Sequence, residues 1–127
     1  MKKSDEQYRD AMQIMARWGQ AIACLGNGND RDRDSAILRF ELAYEVIWKY
    51  VQERVRDSGL ECNGPRQAFE NAFRLGWIAD EFLVDEILKA RNTAVHVYRE
   101  ELADKLASRL AEFHRAMEAL IEASRQP

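Results

Sequence analysis

The chain has two histidines, and one of them, His96, lies in the string Arg91-Asn92-Thr93-Ala94-Val95-His96-Val97-Tyr98. An imidazole that titrates near neutrality can accept or return a proton, and a permanently charged arginine can hold an anionic centre beside it. Arg91 and His96 thus supply metal-free acid–base chemistry at an anion. If one helix ran through the string, Asn92 would share a face with His96, and Arg91 with Tyr98. Arg91 and His96 would then diverge by about 140°, so bringing them together requires a helix break, the reach of the arginine or a second subunit.

The R-x4-H spacing alone is weak evidence, because fourteen arginines make it easy to meet by chance. Arg109 and His114 repeat it, but Leu110 follows that arginine and Ala116 stands where the tyrosine would be, so the second copy reads as coincidence on a packed helix. Other chemistries are poorly supplied. Two isolated histidines give no hydrolase triad, no HExxH and no carboxylate–histidine metal spacing, and no Gly-rich phosphate loop is present. No metal or cofactor is expected.

Read without wider context, each residue of the string also has an ordinary role. Arg91 suits the carbonyls at the end of a short helix, His96 a hydrogen-bonded place in a bundle, and Tyr98 a half-buried contact.

The elements that must position these residues are helical. The 127 residues suffice for one domain, here 1–127, and 46% hydrophobic with 32% charged composition favours helices with a wet, charged side. A net charge of −3 gives no global field for nucleic acid, so any RNA contact must be local. Cys24 and Cys62 form no CxxC pair and read as reduced thiols of a cytoplasmic protein. No uncharged apolar run approaches the roughly 18 residues of a membrane span.

Apolar residues at three- and four-residue steps predict a helix over 4–25 and another over 35–57, capped by Asp34 or Ser35. In the second, Ile37, Phe40, Tyr44, Ile47, Val51 and Val55 form one seam. Leu38, Leu42 and Trp48 lie off it, which hints at a dimer. The run NDRDRD at 29–34 reads as a solvated loop. A short helix should start at Pro65 and end at Gly76, and a fourth should be capped by Asp80. β-Branched Thr93, Val95 and Val97 leave the boundary near 92–97 open. A last helix over 100–123 carries Leu106, Leu110, Phe113 and Met117. The fold class is all-α, a four- to five-helix up-and-down bundle.

RNTAVHVY resembles the R-x4-H motif of HEPN domains, where the position after the arginine is typically polar, as Asn92 is. Three wider blocks, AILRFELAYEVIWKYV (36–51), GPRQAFENAFRLGWI (64–78) and ILKARNTAVHVYREE (87–101), resemble those of the nucleotidyltransferase substrate-binding protein family, in order and at similar spacing. The resemblance spans about residues 5–122.

That resemblance implies a homodimer working beside a minimal nucleotidyltransferase. In the family's toxin–antitoxin pairs the helical protein is a metal-independent endoribonuclease, silenced when the partner transfers AMP to a tyrosine. Carried over residue by residue, this makes Arg91 and His96 catalytic, Asn92 supporting and Tyr98 the AMPylation site, with RNA as substrate. AMP on Tyr98 would block by charge and volume. Two rivals share the fold: a non-catalytic substrate-binding subunit of a two-component nucleotidyltransferase, and a bare helical dimerisation module.

Overall fold

A computed structural model describes residues 3–125, and all five of its long elements are α-helices: α1 (Lys3–Ala23), α2 (Asp30–Asp57), α3 (Pro65–Arg74), α4 (Glu81–Thr93) and α5 (Glu100–Ser124). Short 3-10 turns, Leu25–Asn27 and Ala94–His96, follow α1 and α4. No helix among the described residues is long and apolar enough to cross a membrane. α2 is the common neighbour of α1, α3 and α5, while α4 packs on α3 and α5.

The seam on α2 does what its spacing predicts: Ile37, Phe40, Tyr44, Ile47, Val51 and Val55 are all buried. Around it pack Trp18 of α1, Phe69 of α3 and Phe113 of α5. Phe40 is the hub, with ring centroids 5.6 Å from Trp18 and 6.0 Å from Phe113. Each such aromatic pair adds about 0.5–1.5 kcal/mol beyond its burial. Leu38 and Leu42, predicted to lie off the seam, are exposed, and Trp48 is half-buried. Phe82, in the first turn of α4, is 66% exposed.

One stretch corrects the sequence reading. The charged run 30–34 is not a solvated loop but the opening of α2, which starts at Asp30 rather than near residue 35. Asn29, not Asp34 or Ser35, is its cap, and its side-chain oxygen accepts from the Arg31 amide at 2.7 Å. Asp30 and Asp32 then sit where the helix dipole favours negative charge. Arg33 is buried, and its guanidinium donates to Glu100 at 2.6 Å and to Asp104 at 3.0 Å on α5. Those two carboxylates outweigh the desolvation and hold Arg33 more firmly charged than usual.

The other ends follow the expected chemistry. Pro65 opens α3, where its missing amide hydrogen costs nothing. Gly76 closes it at φ +82°, a left-handed conformation suited to glycine, and its amide donates back to the Phe73 carbonyl. The Asp80 side chain caps α4 by accepting from the Phe82 amide at 3.0 Å.

Candidate functional site

The R-x4-H-x-Y string straddles the end of α4. Thr93 is its last helical residue, and the Thr93 hydroxyl donates to the Lys89 carbonyl at 3.1 Å. Then β-branched Val95 and Val97 disfavour continuation, and residues 94–96 tighten into the 3-10 turn. Buried Ala94 anchors that turn, while the Arg99 amide donates to the His96 carbonyl at 3.1 Å and leads into α5. The helix break that the sequence left open is therefore real.

The break separates the motif into two groups. Arg91, on the last turn of α4, reaches across to α2: its Nε is 3.7 Å from Glu45 Oε1, and its guanidinium lies 5.9 Å from the centroid of the Tyr44 ring. Glu45 is itself steadied by Trp48, whose indole N–H donates to Oε2 at 3.1 Å. The Tyr44 hydroxyl is pushed above its ordinary pKa, first by burial and then by the Glu45 charge, against the opposing pull of Arg91 and Arg66. Arg91 is thus held by α2 rather than by the carbonyls at its own helix end.

His96 and Tyr98 form the second group. Both are exposed, and their rings approach edge to face with centroids 6.1 Å apart. Tyr98 is 77% exposed, so its phenolic oxygen is open to a modifying enzyme rather than half-buried. Asn92 is exposed too, and its amide is not hydrogen-bonded to His96. Within one copy, His96 and Tyr98 are brought together, and Arg91 points to a different neighbour.

Glu45 is the residue that sequence reasoning missed. Its i, i+3 relation to Trp48 was readable, but its pairing with Arg91 spans 46 positions and left no local mark. The second R-x4-H copy is structural. Arg109 makes a bidentate pair with Glu86 at 2.7 and 3.1 Å, tying α5 to α4, and stacks 5.1 Å from the centroid of Phe113. Half-buried His114 donates through Nε2 to the Met15 carbonyl on α1 at 3.0 Å. Cys24 is exposed, Cys62 is buried, and both are free thiols. Among the described residues, no three His, Cys, Asp or Glu side chains cluster as metal ligands.

Known proteins share this arrangement of helices. A solved structure from Thermus thermophilus superimposes with a TM-score of 0.84 at 32% identity, covering 91% of this chain and 99% of that one. A Haemophilus influenzae protein, described as revealing the fold of a substrate binding domain of a nucleotidyltransferase, aligns with a TM-score of 0.69 at 21% identity over 97% of both chains. At that lower identity the likeness concerns the fold alone. No protein of curated function matches the chain. The family described as nucleotidyltransferase substrate binding protein like matches residues 3–126, so the match runs through every helix and the whole R-x4-H-x-Y string: the chain belongs to that family.

Proposed function

We propose that this chain is the non-catalytic, substrate-binding subunit of a two-component cytoplasmic nucleotidyltransferase, with a separate minimal nucleotidyltransferase performing the transfer. The family match over residues 3–126 carries this reading. The helical fold shared with the Haemophilus influenzae substrate binding domain agrees with it. The test is co-expression with a minimal nucleotidyltransferase encoded beside this chain, followed by size exclusion and an assay of nucleotide transfer by each protein alone and by both. Co-elution and transfer that needs both proteins are expected. Equal transfer by the nucleotidyltransferase alone would remove the subunit role.

A second reading keeps the same partner but makes this chain the enzyme: a HEPN toxin that cleaves RNA with Arg91 and His96, aided by Asn92, and is silenced by AMP on Tyr98. The exposure of His96 and Tyr98 side by side favours it. Because Arg91 faces α2 within one copy, this reading needs a homodimer that brings the second arginine into reach. Exposed Leu38 and Leu42 offer a face for it. If two copies of α2 cross antiparallel at the level of residue 40, Leu38 meets the second Leu42 and Arg39 meets the second Glu41. RNA cleavage by the purified protein, abolished in Arg91→Ala and His96→Ala, would establish this reading over the first. Clean binding without turnover would reject it, as would no gain of AMP mass on Tyr98 after incubation with the partner and ATP.

A further inference from the structure

Among the described residues, the buried or half-buried arginines are Arg33, Arg39, Arg54, Arg91 and Arg109. All but one are matched by a carboxylate: Arg33 by Asp104 at 3.0 Å, Arg54 by Asp57 at 3.6 Å, Arg91 by Glu45 at 3.7 Å and Arg109 by Glu86 at 2.7 Å. The exception is Arg39 on α2, which forms no ion pair and donates no hydrogen bond among the described residues. Its helical neighbours three and four positions away are Ser35, Ala36, Leu42 and Ala43, so α2 itself supplies no negative charge there. The five N–H donors of that guanidinium are left for a molecule from outside.

A cavity of about 360 Å³ opens beside Arg39 in the groove between α1 and α2, lined also by Asp10, Gln13, Ile14, Arg17 and Val46. The four residues from α1 have helical spacing and share one face. The two helices run antiparallel, with the Trp18 ring 5.6 Å from Phe40 and the Tyr8 ring 6.0 Å from Tyr50. That register sets Arg17 level with Arg39 at one end, and Ile14 and Val46, both half-buried, in the middle. Asp10 lies roughly 10 Å along α1 from Arg17, at the opposite end. Arg17 also forms no ion pair among the described residues, its neighbours three and four away being Gln13, Ile14, Gln20 and Ala21.

The cavity thus has a doubly positive end, an apolar floor and its one carboxylate far from the arginines. Two guanidiniums from separate helices suit an anion with two charges and three terminal oxygens, which is a phosphomonoester. A carboxylate or a phosphodiester offers one charge and two free oxygens. The floor of Ile14 and Val46 favours an apolar body on the same molecule, and the volume suits a small ligand.

We propose that the α1–α2 cavity binds a small phosphomonoester, its phosphate held between Arg17 and Arg39 and its carbon body over Ile14 and Val46. The site shares no residue with the Arg91 cluster and is independent of the subunit reading, but it competes with the Arg39–Glu41 contact of a nuclease dimer. The test is calorimetric titration of the full chain with phenyl phosphate, compared with inorganic phosphate, which lacks the body, and benzoate, which lacks the second charge. Phenyl phosphate should bind at least about tenfold more tightly than either. Arg39→Gln and Arg17→Gln should each weaken it at least about tenfold, with the circular dichroism spectrum and urea midpoint unchanged because neither arginine is in an ion pair. Val46→Thr, similar in shape but polar, should weaken phenyl phosphate and leave inorganic phosphate unaffected. Equal affinity for the three probes, no binding of phenyl phosphate, or undiminished binding to both arginine variants would overturn the proposal. So would a dimer that takes up no phenyl phosphate and dissociates on Arg39→Gln or Glu41→Gln, since Arg39 would then belong to a second copy.

Discussion

Arg91 reaches from α4 to within 3.7 Å of Glu45 on α2, with its Nε buried and without a hydrogen-bond acceptor in range. A guanidinium held this loosely, by an ion pair and an aromatic face, can be withdrawn by a better acceptor such as a phosphate.

Glu45→Gln should therefore free the guanidinium without unfolding the bundle. Glu45 is 44% exposed on its side chain, so the stability change should stay under about 1 kcal/mol in urea denaturation. Affinity for a short single-stranded RNA should rise, measured by anisotropy at fixed salt, if Arg91 faces the phosphate. Unchanged affinity would place Arg91 outside any anion site.

The Glu86–Arg109 tie predicts an acid sensitivity. Hydrogen bonding to Arg109 holds the Glu86 carboxyl below its ordinary pKa. A carboxyl depressed by folding contributes stability above its unfolded pKa of about 4.3, and loses it as pH falls through the lower folded value. Thermal melts should show the wild type above Glu86→Gln at neutral pH, with the two curves converging below about pH 4. A gap that stays constant with pH would refute the linkage.

Gly19 faces the His114 ring, where an added Cβ would lie 3.2 Å from Nε2. Alanine is favoured over glycine inside a helix by about 1 kcal/mol, but here it must displace the imidazole that bonds to Met15. Gly19→Ala should destabilise the wild type and stabilise His114→Ala by about 0.5–1 kcal/mol. A double-mutant cycle in urea measures this, and the same sign in both backgrounds would count against the contact.

Leu110 is fully buried where α5 meets α2. Leu110→Ala should cost about 2–5 kcal/mol as lost burial and cavity, with a lower denaturation midpoint and an unchanged m-value. A cost below about 1 kcal/mol would mean the core collapses onto the site.

Much of this fold was legible because its determinants are local. The α2 seam, Pro65 at the start of α3 and the Asp80 cap each act within a few residues, and each appears where periodicity and capping chemistry put it. The run at 30–34 was misread although its cap at Asn29 is local, because nothing nearby marks Arg33 as a buried side chain. Arg33 is fixed by Glu100 and Asp104, 67 and 71 positions away, and alternating charges alone look like a wet loop. For the candidate site, sequence found the residue types and the helix break. It could not find Glu45, since nothing near Arg91 in the chain says which helix will lie opposite.

α2 runs for 28 residues without interruption, so over roughly 42 Å it behaves as a stiff rod and has no hinge in which to absorb a displacement. The clamp on Arg33 near its amino end and the Glu45 carboxylate that faces Arg91 are thus borne by one uninterrupted helix.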